Sequence, residues 1–329
     1  MDPFAGGAPP PEISVVIPTY RRSGDLAAVL KSLSTQDLDP GRFEVVVVDD
    51  CSPDDTAEVF GSLAATLPYR SRMVRTPRQG GPAGARNLGW RMATAPLLAF
   101  LDDDVTPTPG WLAAGLAALD AQPTVGVLQG CTRVPPEDND PPPRYGPPDW
   151  KHYHAIEGPT PFFQSCNIFY RRQVLEETGG FDESIAWWGE DTAAGWKTLR
   201  AGWDRGYSAE AIVTHPVELR GWRWFVRHGV LECTMIRLGA EFPDFRAAAF
   251  WRPWAYRKSD AAFKVAVLGV VVGLRFRPAL VLALPYLWWQ RPSMRHLNFF
   301  RLCWQIPLVD AARSAGHIRG AIAYRIFVI

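Results

Sequence analysis

Leu97-Leu-Ala-Phe-Leu-Asp-Asp-Asp-Val105 is the stretch on which the fold turns. Five apolar residues that stop at three successive aspartates are too few for a buried helix and have the length of a strand covered on both faces. The same pattern stands upstream in Phe43-Glu-Val-Val-Val-Val-Asp-Asp50, and Ile13-Ser-Val-Val-Ile17, closed by Pro18, is a third β-branched run ended by a breaker. Between these runs the apolar residues fall at helical spacing over Asp25 to Leu38 (Leu26, Val29, Leu30, Leu33), Thr56 to Leu67 and Ala83 to Ala93, with a further short strand over Arg72 to Arg75. Strand and helix alternating at this rhythm predict a parallel sheet with helices on both faces. In such sheets ligands bind beyond the C-terminal ends of the strands, where both acidic clusters lie.

Five carboxylates at one crevice (Asp49, Asp50, Asp102, Asp103, Asp104) repel one another unless cations or donors neutralise them. A hard divalent ion, Mg²⁺ or Mn²⁺, shared with substrate phosphates answers that need. The plainer alternative is that these acids cap helices starting at Pro53 and Pro107. Neither G-x-G-x-x-G after the first strand nor G-x-x-x-x-G-K-[ST] occurs, which argues against dinucleotide dehydrogenases and P-loop ATPases. Phosphates bound here would have to be held by metal and basic side chains.

The 329 residues are 47% hydrophobic and 21% charged, which excludes disorder as the main state and allows about two domains. The net charge of +1 hides an asymmetry, because residues 1–217 hold 18 basic and 28 acidic side chains whereas residues 218–329 hold 17 and 6. Five scattered cysteines without a C-x-x-C pair give neither a disulfide framework nor a zinc knuckle, so a reducing compartment is expected. The opening MDPFAGGAPPPE has no basic or apolar signal region; residues 1–11 read as a flexible lead and the expected location is cytoplasmic.

The ordered set Ile13-SVVIPTYRR-Arg22, Val46-VVDDCSPDDT-Thr56, Gly80-GPAGARNLG-Gly89, Leu101-DDDV-Val105, Gly179-GFDE-Glu183 and Trp188-GED-Asp191 resembles glycosyltransferase family 2 over roughly residues 12–217. The resemblance implies a GT-A fold, a Rossmann-like, mostly parallel sheet flanked by helices, and an inverting, metal-dependent transfer from a nucleotide-diphosphate sugar. It places the donor against Pro18, Thr19, Tyr20, Arg22, Asp50, Arg86, Asn87, Asp102 and Asp103. It assigns metal to Asp104, with Asp102 and with His215, which lies 24 residues beyond Asp191. Asp191 is implied as the base that deprotonates the acceptor hydroxyl, with Glu190 orienting or binding acceptor. Both acids should open a helix, a position that the macrodipole also favours for purely structural acids.

For the acceptor, the Pro-rich segment 135–161 is expected to form a lid or wall. Trp150, Tyr153, Trp187 and Trp188 are candidates for a sugar-stacking platform, and Asn167 for an acceptor or pyrophosphate contact. Processive members of the family carry Q-x-x-R-W after the base; here Arg220-Gly-Trp-Arg-Trp224 lacks the Gln, so a single-addition enzyme is expected, acting on a saccharide or lipid-linked glycan. Residues 218–329 form a helical, basic extension whose apolar segments 265–274 and 278–289 fall short of the roughly 18–20 residues that span a bilayer. Membrane-surface association at the cytoplasmic face is expected of them, with no nucleic-acid partner. A catalytically inactive scaffold that recruits partners to a membrane is the alternative for the whole chain.

Overall fold

The computed structural model describes residues 9–135, 150–185, 188–294 and 299–328. The Pro-rich segment from 136 to 149, most of the lead and Trp187 lie outside the described residues. The chain forms two compact units, residues 1–138 with 154–216, and residues 139–153 with 217–329.

The first unit starts as expected: β1 (Ile13–Thr19), α1 (Ser23–Leu33), β2 (Phe43–Asp49), α2 (Thr56–Ala64), β3 (Arg70–Arg75), α3 (Gly81–Met92) and β4 (Leu97–Leu101). Next come β5 (Thr106–Pro107), α4 (Trp111–Asp120), β6 (Val125–Arg133) and, in the other unit, β7 (Lys151–His152). The first unit closes with β8 (Asn167–Arg171), α5 (Arg172–Thr178), α6 (Glu190–Arg200) and β9 (Asp204–Thr214). Eight strands make one sheet in the order β3-β2-β1-β4-β8-β6-β9-β5. The first four are parallel, β8 runs antiparallel between β4 and β6, and β5 is antiparallel to β9. The sheet is therefore mixed, with its four leading strands aimed at one edge.

Residues alternate between faces along each strand. Ile13, Val15 and Ile17 of β1, with Val45 and Val47 of β2, pack into a core with Leu26, Val29, Leu30 and Leu33 of α1 and Trp111 and Leu112 of α4. On the opposite face α3 lies against β1 and β2, and Gly89 lets it come close: a Cβ there would stand 2.3 Å from Val16 Cγ1 and 3.0 Å from Val48 Cγ2.

The second unit holds the ribbon of β7 and β10 (Glu218–Leu219), then α7 (Gly221–Gly229), α8 (Cys233–Glu241), α9 (Pro243–Ala249), α10 (Lys258–Gly273), a 3₁₀ segment over Arg277–Ala283, α11 (Leu284–Met294) and α12 (Phe299–Ala323). α12 packs on α7 and α8. At their centre buried Glu232 takes Arg257 at 2.8 Å and Arg313 at 3.4 Å on one oxygen and His317 Nε2 at 3.0 Å on the other. Among the described residues no helix is long and apolar enough to cross a membrane.

Candidate active site

The acidic clusters emerge at the C-terminal ends of β2 and β4 and do not cap the helices that follow. α2 begins at Thr56 and α4 at Trp111, several residues beyond the acids. Asp49 is fully buried and accepts from the Ser52 amide at 2.8 Å, which fixes the loop. Asp50 accepts from the Gly80 and Gly81 amides, each at 2.9 Å, and so ties the end of β2 to the start of α3.

A crevice of about 360 Å³ opens there, lined by Pro18, Thr19, Tyr20 and Arg22 from the end of β1, Asp50, Arg86 and Asp102, Asp103 and Asp104. Nine side chains expected around donor or metal thus share one cavity. Gln79, Pro82 and Ala85 line it as well. No motif signalled Gln79; its one sequence cue is its place just before Gly80-Gly81, where the chain turns into α3.

Asp104 Oδ1 is buried and has no hydrogen-bond partner among the described residues, while Oδ2 pairs with Arg22. Opposite, His215 Nε2 stands 3.8 Å from Asp104 Oδ1. His215 Nδ1 lies 2.9 Å from the Pro216 carbonyl, which can only accept, so Nδ1 carries a proton and Nε2 is the nitrogen whose lone pair the neutral form would offer. An orphaned carboxylate oxygen facing an imidazole lone pair fits a divalent cation such as Mn²⁺. Asp102 instead turns to Arg86, 3.0 Å away. Burial pushes the Asp103 carboxyl up to about 7 despite the nearby Arg22. A second group of ligand-type side chains, Glu232, Asp260 and His317, lies in the other unit with ligand atoms within 4.8 Å of one another. There Arg257 and Arg313 already balance Glu232.

Glu190 and Asp191 open α6, as the sequence suggested, and Gly189 at φ +96° supplies the left-handed residue that turns the chain into it. Glu190 is buried and bonded to Arg86 Nη1 at 2.7 Å, and the other arm of Arg86 reaches Asp102. Burial would lower the Arg86 pKa, but Asp102, Glu190 and Asp191 raise it, so this buried guanidinium stays charged and joins the end of β4 to the start of α6. Asp191 accepts from the Thr192 amide at 2.6 Å and the Ser165 amide at 3.2 Å. Burial and then the Glu190 charge push its carboxyl up to about 7, against the pull of Arg86.

Two asparagines stand elsewhere than expected. Asn87 does not line the crevice; it donates to the Phe181 carbonyl and Glu183 and accepts from the Phe181 amide and Trp90, clamping the Gly179–Glu183 turn onto α3. Asn167 is fully buried, donating to the Cys131 and Ala211 carbonyls and accepting from Trp111, so its amide is consumed inside the sheet. Trp150 belongs to the second unit, where it is buried with Phe225, Ile306 and Val309; Tyr153 is exposed in the same unit. Trp188 is half-buried just before Gly189.

The model of the family described as glycosyl transferase family 2 matches residues 14–179. The chain is 35% identical to the validoxylamine A glucosyltransferase of Streptomyces hygroscopicus subsp. limoneus over 73% of its own length and 59% of that protein's. It is 28% identical to the pre-mycofactocin glycosyltransferase of Mycobacterium tuberculosis over 71% of its length and 48% of that protein's. The chain thus matches about half to three-fifths of the length of these curated relatives. Among solved structures it resembles the mannosyltransferase PcManGT from Pyrobaculum calidifontis in complex with GDP-Man and Mn²⁺, at a TM-score of 0.64 and 24% identity over 93% of this chain and 87% of that one. That likeness is one of fold, the GT-A fold.

Proposed function

Because the chain belongs to glycosyl transferase family 2, we propose that it moves one sugar, with inversion, from a nucleotide-diphosphate donor to a saccharide or lipid-linked glycan acceptor. The nucleotide occupies the crevice between the end of β1 and α3, with Asp50 and Tyr20 at its base and Arg22 and Arg86 toward the diphosphate. Asp104 and His215 are the residues that would hold Mn²⁺ or Mg²⁺, which when bound offsets the charge that develops on the departing diphosphate. The acceptor oxygen attacks the anomeric carbon, the bond from that carbon to the diphosphate oxygen breaks, and the hydroxyl proton passes to Asp191. Glu190 holds Arg86 and thereby the start of α6. The proposed domain division is a catalytic unit over 12–217 and a helical region over 218–329 that meets the cytoplasmic face of a membrane peripherally, close to lipid-linked acceptor.

One juxtaposition carries this reading: buried Arg86 links Asp102 at the crevice to Glu190, the immediate neighbour of Asp191, whose carboxyl is pushed up to about 7. A base poised near neutrality is what proton abstraction from a hydroxyl requires. In Asp191→Asn, transfer to acceptor should fall by at least 10²-fold, on the order of a lost general base, while nucleoside diphosphate binds with unchanged affinity by calorimetry. Undiminished transfer by that variant would remove the assignment.

A further inference from the structure

α10 is built inside out relative to a helix of a water-facing bundle. The side it turns toward the 3₁₀ segment carries the small residues Ala266, Gly269 and Gly273, all buried. A Cβ on Gly269 would stand 2.7 Å from Leu282 Cβ, and one on Gly273 would stand 2.6 Å from Leu280 Cδ2, so the two segments touch backbone to side chain. Phe263, near the start of the helix, is buried with Ala266 and Tyr286, but from Val265 onward the large apolar residues point away: Val265, Val267, Leu268, Val270, Val271, Val272 and Leu274 are all exposed, Leu274 by 86%. The returning arm continues the surface with Phe276, Leu280, Val281, Leu284, Leu287 and Trp288, likewise exposed. Helices in water bury their large side chains and show polar ones. A small-x-x-x-small seam with valines and leucines outward is how helices pack when the surroundings are hydrocarbon. A surface patch of this kind marks a contact site.

Charge selects the occupant. From residue 245 to 329 the chain has 13 Lys and Arg, and its two carboxylates, Asp260 and Asp310, are both buried. Arg275 and Arg277, at the turn of the hairpin, are exposed. An apolar surface flanked at its turn by two exposed arginines, on a stretch whose side-chain carboxylates are buried, fits an anionic bilayer, the exposed Glu241 and Asp244 lying upstream of it in the chain.

We propose that the hairpin of α10 and the Arg277–Ala283 segment embeds in the facing leaflet of an anionic lipid bilayer. This names the partner of the membrane contact in the reading above and rests on that part of it alone. Ten residues from Val265 to Leu274 rise about 15 Å, half of a hydrocarbon core of about 30 Å. Arg275 and Arg277 are costly at the midplane, so the hairpin lies along the interface, with these side chains reaching lipid phosphates and Trp288 at headgroup depth.

The test is flotation of the full-length protein with vesicles of phosphatidylcholine alone or with 30% phosphatidylglycerol. Wild type should float with the anionic vesicles and at least tenfold less with the neutral ones. Leu268→Glu/Leu274→Glu, two exposed positions, should lose flotation at least tenfold while the thermal shift with nucleoside diphosphate and Mn²⁺ matches wild type. Arg275→Gln/Arg277→Gln should lose the preference for anionic lipid. Equal flotation of the Glu variant, equal binding to both vesicles, or a stable dimer that ignores vesicles and is broken by the Glu variant would each overturn the proposal. None of these outcomes touches the transferase reading, which the thermal shift reports separately.

Discussion

Asp191 stands where two influences compete. The first turn of α6 and two backbone amides favour its charge, whereas burial and Glu190 oppose it and prevail, holding the carboxyl at about 7. A base works only when ionised, so kcat/KM should fall tenfold per pH unit below about 7 and level off above it. Glu190→Gln removes a like charge and frees Arg86 to act on Asp191; both changes lower the carboxyl's pKa, and the acid limb of the profile should move toward lower pH. A limb near the ordinary aspartate range in wild type would contradict the assignment. At this scale the sequence was legible where residues act through position on the chain. Asp104 follows a strand end and Glu190-Asp191 opens a helix, so local pattern sets their place. Asn87 and Asn167 were not legible, because an amide's direction is decided by partners far along the chain, Phe181 for one and Cys131 and Ala211 for the other.

The helix α3 carries Arg86, and its seating on the sheet decides where that guanidinium lies. Gly→Ala within a helix ordinarily stabilises by about 0.5–1 kcal/mol. Gly89→Ala should do the reverse and cost about 1–3 kcal/mol, because the new methyl overlaps Val16 on β1 and meets Val48 on β2. Urea denaturation gives the sign directly, and a gain in stability would show that α3 does not sit as described. Strand and helix order through β4 was readable, since period and length encode it. The antiparallel β8 was not, because the run Asn167–Arg171 has the same composition whichever way it points; its direction follows from pairing with β4 and β6. The start of α4 at Trp111 lies beyond the sequence expectation because Asp102–Asp104 face the crevice and leave β5 to intervene.

Over the whole molecule, acid and base are unevenly divided, and each unit buries one charge of its minority sign among opposite ones, Arg86 in the first and Glu232 in the second. In the basic second unit, burial would raise the Glu232 pKa, but Arg257, His317 and Arg313 hold it well below the ordinary 4.5. A depressed carboxylate stabilises the fold above its unfolded pKa, and that stability is lost as pH falls from 4.5 toward the folded value. Glu232→Gln should therefore cost about 3–5 kcal/mol at neutral pH, on the order of a broken buried pair, and should flatten the acid dependence. Hydrogen exchange at pH 7 and pH 4 measures both effects in the helices that bear these residues. The excess of cations in this unit was visible from composition. The arrangement of Arg257, Arg313 and His317 around one buried glutamate was not, because the starts of α8 and α10 meet α12 only in the folded chain. Asp104 and His215, as proposed, bring metal and nucleotide together at the end of β4. Thermal denaturation with Mn²⁺ and each of UDP, dTDP, GDP and CDP tests it, in wild type and in Asp104→Asn. Tm should rise with one nucleotide, and the rise should need Mn²⁺, vanish with EDTA and be absent in Asp104→Asn; a rise of equal size in that variant or with EDTA, or none with any nucleotide, would overturn this role.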